Sequence, residues 1–180
     1  MKIKNIPFLK QKIIILILVI PIILSFDLIT KSWAEHQLRY NSPMVVIPNF
    51  WSFYYQQNKD IGFSVFHWLD EKMSQDSKKI MIIIMQLIAT CFALYLYTTL
   101  DKKIYLIPWA MIISGALGNV INRIAYGYVV DFVMWYIPSS PFRIFNPWPI
   151  FNVADSSIVC GGITLIVMYL FFDKRKTKKV

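Results

Sequence analysis

Gly115-Ala-Leu-Gly-Asn-Val-Ile-Asn-Arg-Ile-Ala-Tyr-Gly-Tyr-Val-Val-Asp-Phe132 begins inside an apolar segment and reaches a carboxylate, Asp131, one residue before its end. Within it Asn119, Asn122 and Arg123 fall at i, i+3 and i+4, so on a helix they share one face. Polar groups on a mostly apolar helix are costly in lipid, and their presence there is a functional-site hypothesis by default. Further along, Asn152 and Asp155 stand at the head of another apolar segment. The fold follows from how these two stretches are placed relative to each other.

The surrounding composition favours a membrane protein. The 180 residues are 57% hydrophobic, with 13 Phe, 10 Tyr and 6 Trp, and the mean hydropathy is +0.51. Apolar sequence in such unbroken runs is rare in a soluble domain of this size. The net charge of +9 is not a nucleic-acid signal, because the lysines cluster at the two ends and in one short connection. Charge is distributed that way in proteins that take their orientation from cytoplasmic flanks. Cys91 and Cys160 both lie in apolar runs and read as packing residues. His36 and His67 lie outside those runs, and there is no HExxH pair or Cys/His cluster, so neither a zinc site nor any other cofactor is expected.

Taken in order, the chain predicts a membrane protein, mainly α, with four transmembrane helices at about 12–32, 80–100, 104–124 and 156–172. Outer loops of 33–79 and 125–155 complete a single integral membrane domain over 1–180. The first apolar run follows Lys2, Lys4, Lys10 and Lys12 as a secretory signal would. It leads, however, into Asp27 and Lys31 with no small-residue cleavage site, and reads as a membrane helix. Met44–Ile47 and Phe50–Tyr55, bounded by Pro43, Pro48 and Asn49, suggest two short strands. Asn58–Phe63 reads as a turn into Ser64–Trp68. The aromatics of this loop suit either the membrane interface or a small core of their own. The N-terminal segment, the 101–103 connection and the tail carry four, two and five of the 19 Lys and Arg, which places both termini in the cytoplasm. Arg39, Lys59, Lys72, Lys78 and Lys79 run against that count, but they lie in a long loop, where charge weighs less.

On this topology Asp131 and Asp155 both lie at the outer boundary, just after the third helix and at the start of the fourth. Two carboxyls sharing a site cannot both ionise cheaply, so the pair would hold one proton. The ionised member could then take a proton from water while the protonated member bonds a carbonyl oxygen. A plainer account stays open: Asn152-Val-Ala-Asp155 has the form of a helix cap, and Asp131 could be a solvated loop residue. Asn119 and Asn122 could line a cavity or join helices, helped by Ser114-x-x-x-Gly118, and Arg123 could reach for headgroups. Asp27 and Lys31 form an i, i+4 pair whose expected role is a brace.

These residues also carry a family resemblance. The stretches Asp27-Leu-Ile-Thr-Lys31, Asn58 through Phe63, Gly115 through Arg123, Gly127-Tyr-Val-Val-Asp-Phe132 and Phe151-Asn-Val-Ala-Asp155 occur in family order from the first helix to the fourth. Together they make the chain resemble bacterial lipoprotein signal peptidase, also called signal peptidase II. The resemblance implies a metal-free aspartic endopeptidase with Asp131 and Asp155 as its catalytic aspartates. It implies that Asn119, Arg123 and Asn152 line the site and that Asp27, Lys31 and Asn58 support it or contact substrate. The implied substrates are prolipoproteins cut just before a diacylglyceryl-modified cysteine, in the bacterial inner membrane, by an enzyme expected to be a monomer among membrane lipids. By the same resemblance, segment 33–79 would supply a small, partly β extramembrane cradle on the outer face and a small helix on the membrane surface. Two departures stand out. Asn122 replaces a usual Asp, keeping the hydrogen-bonding shape without the charge, and Asn58-Lys-Asp-Ile-Gly-Phe63 shifts a glycine and adds Asp60. The competing readings are an ion- or proton-coupled transporter using the same carboxylates and a membrane assembly factor with structural polar pairs.

Overall fold

A computed structural model describes residues 7–59, 73–136 and 147–173. Among the described residues, four helices are long and apolar enough to cross a membrane. They are α1 (Phe8–Leu38), α2 (Gln75–Thr99), α3 (Leu106–Tyr126, entered through a 3₁₀ turn at Lys103–Tyr105) and α4 (Val153–Met168), which runs on as a π-helical turn to Asp173. Half of the apolar window of α3 is buried, against 6% for α1, so α3 is the inner helix and α1 gives most of its surface to lipid. The other three helices all pack on α3.

Each observed helix runs past its expected bounds at one end or both, and for α1 the reason is tertiary. The last turns of α1 project beyond the apolar core to carry the sheet. Ala34 and Leu38 are buried there with Val130 and Phe132, and Trp33 meets the Phe53 and Phe132 rings edge-on at 5.3 and 6.1 Å. These aromatics therefore form a core between the sheet and α1. At the opposite end of the bundle Tyr97 donates from its hydroxyl to the Lys12 carbonyl at 2.9 Å, tying α1 to α2.

The sheet has three strands, β1 (Met44–Ile47), β2 (Trp51–Asn58) and β3 (Val129–Trp135), in that order and antiparallel. The first two match expectation, with β2 beginning one residue later and ending three residues later. β3 lies within the 125–155 outer loop, where no strand was expected. Its burial is nearly continuous, so no polar–apolar alternation marks it in the sequence. Gly127 makes the strand possible: at φ 84° it caps α3 in the left-handed region, and its N–H bonds the Arg123 carbonyl. A bulge in β2 sets Tyr54 and Tyr55 against the single Phe132 and leaves Asn58 paired with Val129. On the other side of β3, Val133 bridges Phe151, immediately before α4. The rest of the Asn58–Phe63 turn, the expected surface helix, Asp60, His67 and the basic tail lie outside the described residues.

Candidate active site

The sheet and α4 bring the two aspartates together. Asp131 sits in mid-β3, with β2 on one side and the Phe151 segment on the other. The Val133–Phe151 pairing delivers Asn152 to its side chain, and Asn152 Nδ2 donates to Asp131 Oδ1 at 2.6 Å. On the other flank Asn58, a diagonal neighbour across the β2–β3 ladder, donates to Asp131 Oδ2 at 2.9 Å. Asp155 lies in the first turn of α4. Asn152 is the N-cap and Asp155 the reciprocal N3 residue, with bonds of 3.0 Å from the Asp155 N–H to Asn152 Oδ1 and 3.1 Å from the Asn152 N–H to Asp155 Oδ2. The other Asp155 oxygen accepts from Asn119 Nδ2 at 2.8 Å.

Behind the aspartates a buried chain of polar groups joins α1, α3 and α4. Lys31 Nζ bonds Asp27 Oδ2 at 2.8 Å and Asn119 Oδ1 at 2.9 Å. Because Lys31 can only donate, the Asn119 amide must turn its N–H toward Asp155. Asp27 Oδ1 in turn accepts the Ala154 N–H at 2.8 Å, satisfying a helix-start donor that the capping box leaves over. Asp27 and Lys31 are 0% and 2% exposed, so neither charge could persist here without the other. Gly118 allows this fit, since a Cβ there would collide with the Asp27 carboxylate.

The three polar residues of α3 take different partners. Asn119 joins the aspartates. Asn122 Oδ1 instead accepts the Val130 N–H at 2.8 Å, anchoring β3 one residue before Asp131. Arg123 reaches across to α2 and donates to Gln86 Oε1 at 3.2 Å.

Asp131 and Asp155 open onto one cleft of about 510 Å³, with Asn58, Asn119, Arg123 and Gln86 among its polar lining and Trp135, Trp148, Phe151 and Ile158 among the apolar. Asp27, Lys31, Asn122 and Asn152 stand outside that lining, as supports. The Asp131 carboxyl is pushed up to about 7, chiefly by burial and next by the charge of Asp155, against the lowering effect of Asn58, Asn152 and Lys31. Among the described residues no three His, Cys, Asp or Glu side chains converge as a metal site would require. Gln86 was missed in the sequence. Its signal is that of Asn119: it is the only Asn, Gln or charged residue between Ile80 and Leu100.

The four-helix bundle with its small sheet places the chain among multi-pass membrane proteins, with two aspartates over one cleft. The chain belongs to the signal peptidase II family, whose model matches residues 18–172. It is 36% identical over 166 residues to the lipoprotein signal peptidase of Clostridium tetani, covering 92% of this chain and 97% of that one. It is 33% identical to that of Xanthomonas campestris pv. campestris, covering 92% and 93%. Two solved structures, described as bacterial membrane enzymes determined by the in meso method, superpose with TM-scores of 0.72 and 0.69. Each is 26% identical, and they cover 96% and 92% of this chain and 95% and 96% of their own. The family is one of membrane aspartic peptidases that remove signal peptides from prolipoproteins.

Proposed function

We propose that Asp131 and Asp155 are the catalytic pair of this peptidase and that they hydrolyse the peptide bond just before the diacylglyceryl-modified cysteine of a prolipoprotein. The observation that carries the reading is the shared cleft. Two carboxyl groups on different elements open onto it, each held by an asparagine amide, and burial pushes one of them up to about 7.

One proton is shared by the pair. The ionised carboxylate takes a proton from a water molecule as its oxygen attacks the scissile carbonyl carbon, and the protonated carboxyl gives its hydrogen to the carbonyl oxygen. In the tetrahedral intermediate the first aspartate now carries the proton. It passes that proton to the leaving amine as the C–N bond breaks, while the gem-diol returns a proton to the second aspartate. The pair ends with one proton, as it began. The apolar cleft walls would take the lipid and the signal peptide's apolar segment, and the aspartates would sit at the outer face of the inner membrane with both termini in the cytoplasm. Asn58, Asn119 and Asn152 hold the carboxylates. Asp27 and Lys31 hold Asn119 and the start of α4, Asn122 holds β3, and Arg123 lies at the cleft wall for substrate.

The test is cleavage of a diacylglyceryl-modified prolipoprotein by purified enzyme in detergent, with Asp131→Asn and Asp155→Asn compared to wild type. Both variants should lose turnover to background. Retained cleavage by either one overturns the pair. Proteoliposome ion flux that disappears with Asp155→Asn in a protein that cuts no substrate would favour the transporter instead.

A further inference from the structure

We propose that Gln86 contacts the substrate directly, its side-chain N–H donating to a backbone carbonyl of the signal peptide lying in the cleft. The inference rests on the peptidase reading above. An extended peptide drawn into an apolar cleft brings backbone carbonyls that have no partner of their own, and each is costly away from water unless the cleft supplies a donor.

Most of the cleft's donors are already engaged. The Asn58 and Asn119 amides are donated to Asp131 and Asp155. The Ser156 hydroxyl donates to the Asn152 carbonyl at 3.0 Å. Gln86 differs. Its Oε1 accepts from Arg123, and because a guanidinium has no acceptor, that bond fixes which way the amide faces. Its Nε2, carrying two N–H donors, bonds to nothing among the described residues, while the residue is part of the cleft lining. The position is also informative. Gln86 lies eleven residues into α2, about 16 Å along the helix axis from Gln75. Gln86 is half-buried and its Nε2 stays accessible from the cleft, where a substrate carbonyl can reach it. The bond to Arg123 accounts for its oxygen and leaves its nitrogen unexplained.

The experiment separates a substrate contact from a brace for Arg123. KM and kcat are measured with a diacylglyceryl-modified prolipoprotein for full-length wild type, Gln86→Glu and Gln86→Leu. Glu keeps an acceptor for Arg123 but loses the donor, and Leu loses both. If Gln86 donates to substrate, both variants raise KM about five- to thirtyfold, the range for one hydrogen bond lost in an apolar site, with kcat within about twofold of wild type. If Gln86 only braces Arg123, Gln86→Glu keeps the wild-type KM and Gln86→Leu alone is impaired, and the proposal fails. It also fails if both variants keep the wild-type KM, or if they lose kcat with KM unchanged. Should Gln86→Leu not fold, Gln86→Glu alone decides. Failure of the peptidase reading looks different, because wild type would then cut nothing.

Discussion

Replacing Asp131 by Asn should make stability less dependent on pH, by an amount that follows from its surroundings. Asp131 is 2% exposed, so solvent screening takes little from its electrostatics. Folding lifts the carboxyl from its ordinary 3.8 to about 7. Between those values the folded protein holds a proton that the unfolded chain has released, so stability falls as pH rises through that window and levels off above it. Of the gap of roughly 3 units, about 1 is lost below pH 5. About 2 units, or about 2–3 kcal/mol at roughly 1.4 kcal/mol each, are then lost between pH 5 and pH 8.

The amide introduced by Asp131→Asn does not titrate. Its N–H must face the donor of either Asn58 or Asn152, a conflict costing about 1–3 kcal/mol at every pH. The stability of wild type relative to the variant should therefore fall by about 2–3 kcal/mol between pH 5 and pH 8, since other titrating groups are common to both. For a chain of this length that corresponds to about 5–10 °C in relative Tm. The assay is thermal unfolding of both detergent-solubilised proteins in matched buffers across the range. A Tm difference that stays constant from pH 5 to pH 8 would refute the reasoning, because Asp131 would then be titrating no differently in the folded and unfolded chain.

Two further outcomes test the supports. Gly118→Ala should destabilise by about 1–3 kcal/mol and lower cleavage, because its Cβ would displace the Asp27 carboxylate that anchors both Lys31 and the Ala154 N–H, and thermal unfolding with a cleavage assay reads both effects. Asn152→Ser should keep the helix cap, since serine caps about as well as asparagine, at under about 1 kcal/mol, yet remove the amide that holds Asp131 down. The fall of cleavage rate at high pH should then move upward, and a pH–rate profile with an unmoved alkaline side would contradict the role given to Asn152.

The sequence shows those parts of this molecule that local rules govern. Long apolar runs gave the four helices, and β-branched and aromatic residues between prolines gave β1 and β2. It did not show β3, because Val129–Trp135 is buried almost continuously and its two partners, β2 and Phe151, lie far from it along the chain. Placing Asp131 and Asp155 at one boundary followed from helix count alone, whereas Asn58 over Asp131 depends on a β-bulge that no local pattern announces. The same limit applies to the polar stripe of α3. Spacing put Asn119, Asn122 and Arg123 on one face, but three different neighbours, α4, β3 and α2, divide them between three tasks. Gln86 was legible by the rule used for Asn119 and was passed over because a lone amide in an apolar run has a ready explanation as helix-to-helix glue.

Helix capping and proton sharing began as rival accounts of Asp155, and the atoms show that they are compatible. A capping box needs only Asn152 Oδ1 on one backbone N–H and Asp155 Oδ2 on the other. A cap with no further duty could leave Asn152 Nδ2 and Asp155 Oδ1 to solvent. Here Asn152 Nδ2 lies 2.6 Å from Asp131, and Asp155 Oδ1 takes the amide of Asn119. Each residue of the box thus stabilises the start of α4 with one polar atom and orders the acid pair with the other. That division explains why another α4 donor, at Ala154, is met from a different helix by Asp27: both side chains of the box are already committed. It also gives the buried Asp27–Lys31 pair a purpose that stability alone does not, since apolar residues of similar size would often hold such a position as well. Such residues could not accept the Ala154 N–H or orient Asn119, and without that orientation Asn119 could turn its oxygen toward Asp155 and repel it.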